Sequence, residues 1–357
     1  MIVSRYIKEE TDTLQADVEF ITPAFLGGAD GNAELRAAPF KGMLRYWWRI
    51  LYSAKYKNSL QQKEAELFGS TAENGKAGGK SLVNLKVIAT HIDTVLPASF
   101  NGTMITHKNS HGRKINILDY LAYGHYDYDK ITHSNKYIHT AIQPGSTFSI
   151  TITVPKAYSQ EAFQALLAMV QYGGIGSKCR NGFGSMQLIN CTKNGKENSM
   201  TIEPKLWPIH NTPVGFSALS QNIRLYKTKS SQRRWENALS AIGEVYLTIR
   251  VNLENAHHFE RRSLIARPII AKKESISDAI KNNRHPKFLL LHVAKEKDGF
   301  YGQILALPIN FNYISAGDND NYLKMVDAVY KELDSAVQSQ LLQNKTAFLL
   351  GVKNYVH

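Results

Sequence analysis

Gly173-Gly174-Ile175-Gly176-Ser177-Lys178-Cys179-Arg180-Asn181-Gly182-Phe183-Gly184-Ser185 sets two cations between groups of glycines. The setting of this run decides the fold. Apolar periodicity from Glu161 to Tyr172 predicts a helix that ends at the loop, and Met186-Gln187-Leu188-Ile189 predicts a strand that leaves it. A dinucleotide fingerprint or a P-loop runs the other way, from strand into helix, and seats its phosphates on the helix N-terminus. Here the loop meets the negative end of a helix dipole. Affinity for a phosphate must therefore come from backbone N–H groups together with Lys178 and Arg180. Gly174, Gly176, Gly182 and Gly184 lack Cβ atoms and would let a polynucleotide backbone lie against the chain, with Phe183 buried or stacking beside it. The competing reading is a flexible surface loop.

Outward from the loop, Ala16 to Ile21 alternates apolar and polar residues as a half-buried strand does, and Thr22-Pro23 ends it. A glycine-rich turn at Gly27 to Gly31 leads to a helix from about Pro39 to Tyr56, with Phe40, Leu44, Trp47 and Leu51 facing a core. Leu82 to Ile88 and Phe148 to Val154 read as further strands. With the helix and strand around the loop, the order is β-α-β-β-α-β. The second half repeats it: a strand at Asn222 to Tyr226, a helix from Gln232 to about Tyr246, a hairpin of Phe288 to Val293 and Tyr301 to Leu307 across Asp298-Gly299, a helix from Tyr322 to Leu342, and a strand at Ala347 to Val352. The predicted fold class is α+β, two ferredoxin-like (βαββαβ, RRM-like) units in tandem with long insertions. The first unit takes residues 1–195, with an exposed insertion at about 92–145 rich in His, Asn, Tyr and Lys, and the second takes 196–357.

On the first helix Lys41, Arg45 and Arg49 recur every four residues and line up along one edge. No acidic residue lies between Lys41 and Lys57, so these cations would repel one another unless an anion sat nearby. Trp48 and Tyr52 flank the edge, a mixture that suits a sugar-phosphate backbone with a stacked base, while Trp47 belongs to the core.

The run Gly174 to Gly184 resembles the glycine-rich loop of the RAMP superfamily of CRISPR-associated proteins, which follows the second helix of a ferredoxin-like unit. Within that superfamily, Thr22-Pro23-Ala24-Phe25-Leu26-Gly27-Gly28 followed by Lys41-Gly42-Met43-Leu44-Arg45-Tyr46-Trp47-Trp48-Arg49 is similar to the first subunit of Cmr-type, type III-B complexes, as, more faintly, is Ala266-Arg267-Pro268-Ile269. The resemblance implies a non-catalytic RNA-binding subunit at the head of the effector ribonucleoprotein, near the 3′ end of the guide RNA. Its partners would be guide RNA, target RNA and other RAMP subunits, in antiviral defence. The alternative is a metal-independent RAMP endoribonuclease that processes CRISPR transcripts.

Bulk properties fit a polyanion-binding chain. The 357 residues carry a formal net charge of +13 with 43% hydrophobic content, enough for packed cores and a field that attracts nucleic acid. No apolar run reaches the roughly 20 residues that span a bilayer, so no membrane partner and a cytoplasmic location are expected. Two cysteines, Cys179 and Cys191, are too few for a disulfide framework, and no metal-ligand spacing or cofactor motif occurs. Of the possible catalysts, His257-His258 with Arg261-Arg262, and His107, His111, His125, His133 and His139 in the insertion, read as solvated or RNA-contacting. Asp30 reads as a turn residue as readily as a catalyst.

Overall fold

The computed structural model describes residues 10–71, 78–106, 114–199, 201–253, 262, 265, 286–310 and 318–350. Strand β1 (Thr11–Phe20) alternates exposed and buried side chains, and is followed by α1 (Ala37–Tyr56), α2 (Leu60–Phe68), β2 (Asn84–His91), α3 (Ile117–Leu121), β3 (Thr147–Pro155), α4 (Ser159–Tyr172) and β4 (Met186–Lys193). These strands form an antiparallel sheet in the order β4-β1-β3-β2, extended past β4 by residues 196–197. In the second half β5 (Arg224–Thr228), α5 (Trp235–Asn252), β6 (Leu289–Glu296), β7 (Gly299–Ala306), α6 (Asp318–Gln338) and β8 (Leu342–Asn344) give an antiparallel sheet ordered β6-β7-β5-β8. The fold is thus α+β with antiparallel sheets. In each half the fourth main strand lies beside the first, and the second lies beyond the third.

The period-2 pattern of β1 turns Leu14, Ala16, Val18 and Phe20 under α1 and α4, where they meet Phe40, Leu44, Trp47 and Leu51. The opposite face of that sheet holds Thr13, Gln15, Asp17, Ser149, Thr151 and Thr153, and its strands present no Phe, Tyr or Trp there; the ring on this face is the exposed imidazole of His91, which lies across from Thr147 and 3.0 Å from Asp93. The second sheet is buried on both faces. Leu289, Leu291, Val293 and Ile304 pack with α5 and α6, whereas Leu225, Leu290 and Leu305 join the core of the first half.

Several expectations change. The insertion is not simply exposed: Ile117, Leu118, Leu121 and Tyr137 are buried in the second core beside Leu239, Ile242 and Phe183. Helix α2 was not foreseen, although Leu60, Glu64, Leu67 and Phe68 mark its buried face. The last strand lies at Leu342–Asn344 rather than 347–352, because Asn344 Oδ1 accepts the Thr346 N–H at 2.9 Å and starts a short helix, α7 (Thr346–Leu349). Residues 351–357 lie outside the described ones.

Candidate nucleic-acid interface

The glycine run does follow a helix and precede a strand, but it is not a flexible surface loop. Ile175 N–H donates to Gly184 O (3.0 Å), Ser177 N–H to Phe25 O (2.8 Å) and Gly184 N–H to Pro23 O (2.8 Å), which staples the loop to the segment leaving β1. The insertion clamps a second side, through Asn181 Nδ2 to Leu121 O (2.7 Å) and a His125 Nε2 to Ser177 Oγ contact of 2.9 Å. The second sheet clamps a third, where Leu291 N–H donates to Arg180 O at 3.2 Å.

These contacts account for the glycines. Gly174, Gly182 and Gly184 are buried. A Cβ at Gly184 (φ +65°) would strike the Ile175 carbonyl, and one at Gly176 (φ +91°) would strike the Phe25 carbonyl. Gly182 faces Leu239 and Gly174 faces Phe183 O. The expectation that these glycines receive an RNA backbone is therefore corrected for the three buried ones: they admit the protein's own chain. Phe183 is fully buried, with ring centroids 5.4 Å from Phe25 and 5.6 Å from Phe100, and cannot stack on a base.

What the clamped loop leaves outward is its cations. Lys178 holds φ +61°, a left-handed backbone that costs a non-glycine residue about 1–2 kcal/mol, and it has no carboxylate partner among the described residues. Partial burial pushes its ammonium pKa down. Arg180 lies over the Tyr46 ring at 5.1 Å, and Tyr46 stands three residues before Arg49 on α1. Loop and helix edge thus meet through one tyrosine.

The α1 edge needs two corrections. Its arginines are not free of acid: Arg49 donates to Glu64 of α2 at 2.6 and 2.5 Å, and Arg45 bonds the same carboxylate. One carboxylate against two guanidinium groups leaves the edge positive, and Arg45 and Arg49 keep 40% and 36% of their side-chain surface exposed. They line a cleft of about 800 Å³ with Gln61, Ser70 and Phe216. Lys41 is half-buried and has no ion-pair partner among the described residues. Trp48, expected to stack on RNA, is fully buried instead. Its Nε1 donates to Glu161 Oε2 at 2.7 Å, and Glu161 also takes Lys55 at 2.6 Å and the Tyr56 hydroxyl at 2.8 Å. Tyr52 is buried too, and Trp47 is core as expected.

Two further cations belong to this region and left no signal in the sequence. Lys287, 8% exposed, donates to Asn181 Oδ1 at 2.9 Å and lies 3.4 Å from the centre of the Tyr246 ring. Arg250 of α5 donates to the Tyr120 hydroxyl at 2.9 Å. Burial and the nearby Arg250, Arg180 and Lys178 hold the Lys287 pKa well below its usual value, and neither Lys287 nor Arg250 meets a carboxylate among the described residues. The region where the loop meets the second sheet is a concentration of positive charge.

The histidines divide. His125 is buried on the Phe25 ring at 3.9 Å, and burial, with His139 and Lys178 nearby, lowers its pKa to about 4. His292, buried under the loop, is lowered to about 4 by burial. For His125 and His139, whose Nδ1 atoms are buried, the solvated reading is corrected. His107, His111, His257, His258 and Arg261, like Ala266 to Ile269, lie outside the described residues. Asp30 forms a turn, accepting from Asn32 N–H at 2.9 Å and Asn32 Nδ2 at 2.8 Å. A histidine whose folded pKa lies below its unfolded 6.5 gives up stability as the pH falls from about 6.5 towards 4, at up to about 1.4 kcal/mol per pH unit, and costs nothing further above that window. Urea denaturation at pH 7 and pH 5 should show this loss, with His125→Asn removing the share of one histidine.

Among the described residues no helix is long and apolar enough to cross a membrane, and no group of three His, Cys, Asp or Glu is placed to hold a metal ion.

Comparison with known proteins agrees with the loop and helix motifs. Residues 17–187, a stretch that runs from β1 into β4, match the family model of the RAMP superfamily. It is also similar to CRISPR system Cmr subunit Cmr1-2 of Pyrococcus furiosus, 27% identical over 186 residues, which cover 48% of this chain and 92% of that relative. The crystal structure of apo Cmr1 from Pyrococcus furiosus superposes with a TM-score of 0.49 and 16% identity, covering 93% of this chain and 98% of that one. A chain of the cryo-EM structure of type III-B Cmr-beta bound to cognate target RNA gives 0.49 and 14%, covering 90% and 100%.

Proposed function

We propose that this chain is a non-catalytic, RNA-binding subunit of a type III-B (Cmr) CRISPR effector ribonucleoprotein, built from two ferredoxin-like units and acting with other RAMP subunits on guide and target RNA near the guide's 3′ end. The strand order within each sheet supports the two-unit reading. The observation that carries the RNA reading is the line of cations from Lys178 and Arg180, across Tyr46, to Arg49, Arg45 and Lys41. The loop is fixed on three sides, its cations are half-exposed with no acid partner among the described residues, and the helix edge holds two arginines to one carboxylate. A rigid positive line of this kind suits the regular charge of a phosphate backbone and reads little of base identity.

Affinity purification of the tagged chain from its host, followed by sequencing of co-purified RNA, tests the reading. Guide-length CRISPR RNA together with RAMP-type subunits is expected. Recovery of protein partners without RNA, even at low salt, would contradict RNA binding, and defined cleavage of repeat RNA in EDTA would contradict the non-catalytic role.

A further inference from the structure

The two rings expected to stack on RNA, Trp48 and Phe183, are buried, so neither gives the cationic track a platform for a base. Among the described Phe, Tyr and Trp residues the most exposed is Tyr123, at 72%. It occupies the second position of the turn Ala122-Tyr123-Gly124-His125, which His125 N–H closes by donating to Ala122 O at 3.1 Å. Gly124 follows at φ +96°, a backbone that favours glycine at the third position of such a turn.

This turn is fastened to the glycine loop on both flanks. Asn181 Nδ2 donates to Leu121 O at 2.7 Å just before the turn, and His125 Nε2 lies 2.9 Å from Ser177 Oγ at its end. Lys178 stands between those two contacts. A Cβ placed at Gly124 would lie 3.8 Å from Lys178 Nζ, so the ammonium rests against the turn one residue from Tyr123. Tyr126 braces the Tyr123 ring edge-on, with centroids 6.2 Å apart and planes at 86°.

We infer that Tyr123 is the base-stacking platform of the RNA track, with a phosphate on Lys178 and the adjoining base on the Tyr123 ring. A cation for the backbone beside an exposed ring for a base is how single-stranded nucleic acid is held without regard to sequence, because every base has a π-face. Lys178 meets no carboxylate among the described residues. Such an ammonium favours a nucleotide, which brings its own phosphate, over an apolar protein surface, which would bury the charge unpaired. The inference rests on the RNA-binding reading and adds to it a contact that carries no charge.

Fluorescence anisotropy with a labelled single-stranded RNA of about ten nucleotides tests it. Tyr123→Ala is expected to weaken binding about tenfold, within the range for one stacked base, while the slope of log affinity against log salt stays the same because no phosphate contact is lost. Tyr123→Phe, which keeps the ring, should bind as the wild type does. An oligonucleotide of the same length without bases should bind wild type and Tyr123→Ala equally. Chemical denaturation checks that the exposed position leaves folding intact, with Tyr123→Ser as the second variant should Tyr123→Ala not fold. Unchanged RNA affinity in these variants, a loss that Tyr123→Phe shares, or a loss that persists without bases overturns the stacking role and leaves the RNA reading standing. Failure of the wild type to bind any RNA overturns both.

Discussion

Replacing Lys178 and Arg180 together with alanine is expected to lower affinity for single-stranded RNA about 25-fold near 0.1 M salt and to reduce the slope of log affinity against log salt by about 1.4. Both figures follow from counterion release, since each phosphate contact on a single strand contributes about 0.7 to that slope. Titrations at several salt concentrations measure both at once. The fold should tolerate the change, because the loop is held by its backbone, by Asn181 and by Ser177 rather than by these two side chains. Lys178→Gly sharpens the test. Glycine adopts a φ of +61° without the penalty lysine bears, so stability should hold or rise while one slope contribution disappears. A double variant with an unaltered slope would remove the loop from the interface.

Trp48→Ala is expected to cost about 3–5 kcal/mol of folding stability, the range for emptying a large buried aromatic position. Trp48 has no exposed surface, packs against Tyr56 at 5.3 Å and Phe68 at 5.8 Å, and supplies one of the hydrogen bonds that hold buried Glu161. Trp48→Phe keeps most of the packing and loses that bond, so its cost should be about 1–3 kcal/mol. The folded fraction of either variant should bind RNA as the wild type does. Chemical denaturation and RNA titration of Trp48→Phe separate the two roles: weakened binding with unchanged stability would restore a stacking role for this side chain.

The difference between Trp48 and Arg49 shows what the sequence could and could not convey. Spacing placed α1 within two residues of its observed start, and put Trp47 in the core and the arginines on one edge. Spacing could not reveal that the neighbouring position also faces inward, because that depends on α4 bringing Glu161 to the indole. Nor could it reveal Glu64, which neutralises half of the arginine pair from a helix not anticipated. The loop followed the same pattern. Its direction between helix and strand was readable, and so were its cations, but the glycines were assigned to RNA when the neighbours that require them are Pro23, Phe25, Ile175 and Leu239, some of them far away in the chain. Lys287 and Arg250 were invisible for the same reason, since only the docking of the second sheet brings them to the loop. Local periodicity conveyed the elements, and tertiary contacts decided which polar groups remain available.

The claim that the loop and the α1 edge form one track for RNA is tested most directly by photo-crosslinking the chain to RNA carrying 4-thiouridine and mapping the modified peptides by mass spectrometry. Attachment within both residues 37–56 and residues 173–185 is the predicted result. Attachment confined to the open face of the first sheet, around Gln15 and Thr151, would contradict it.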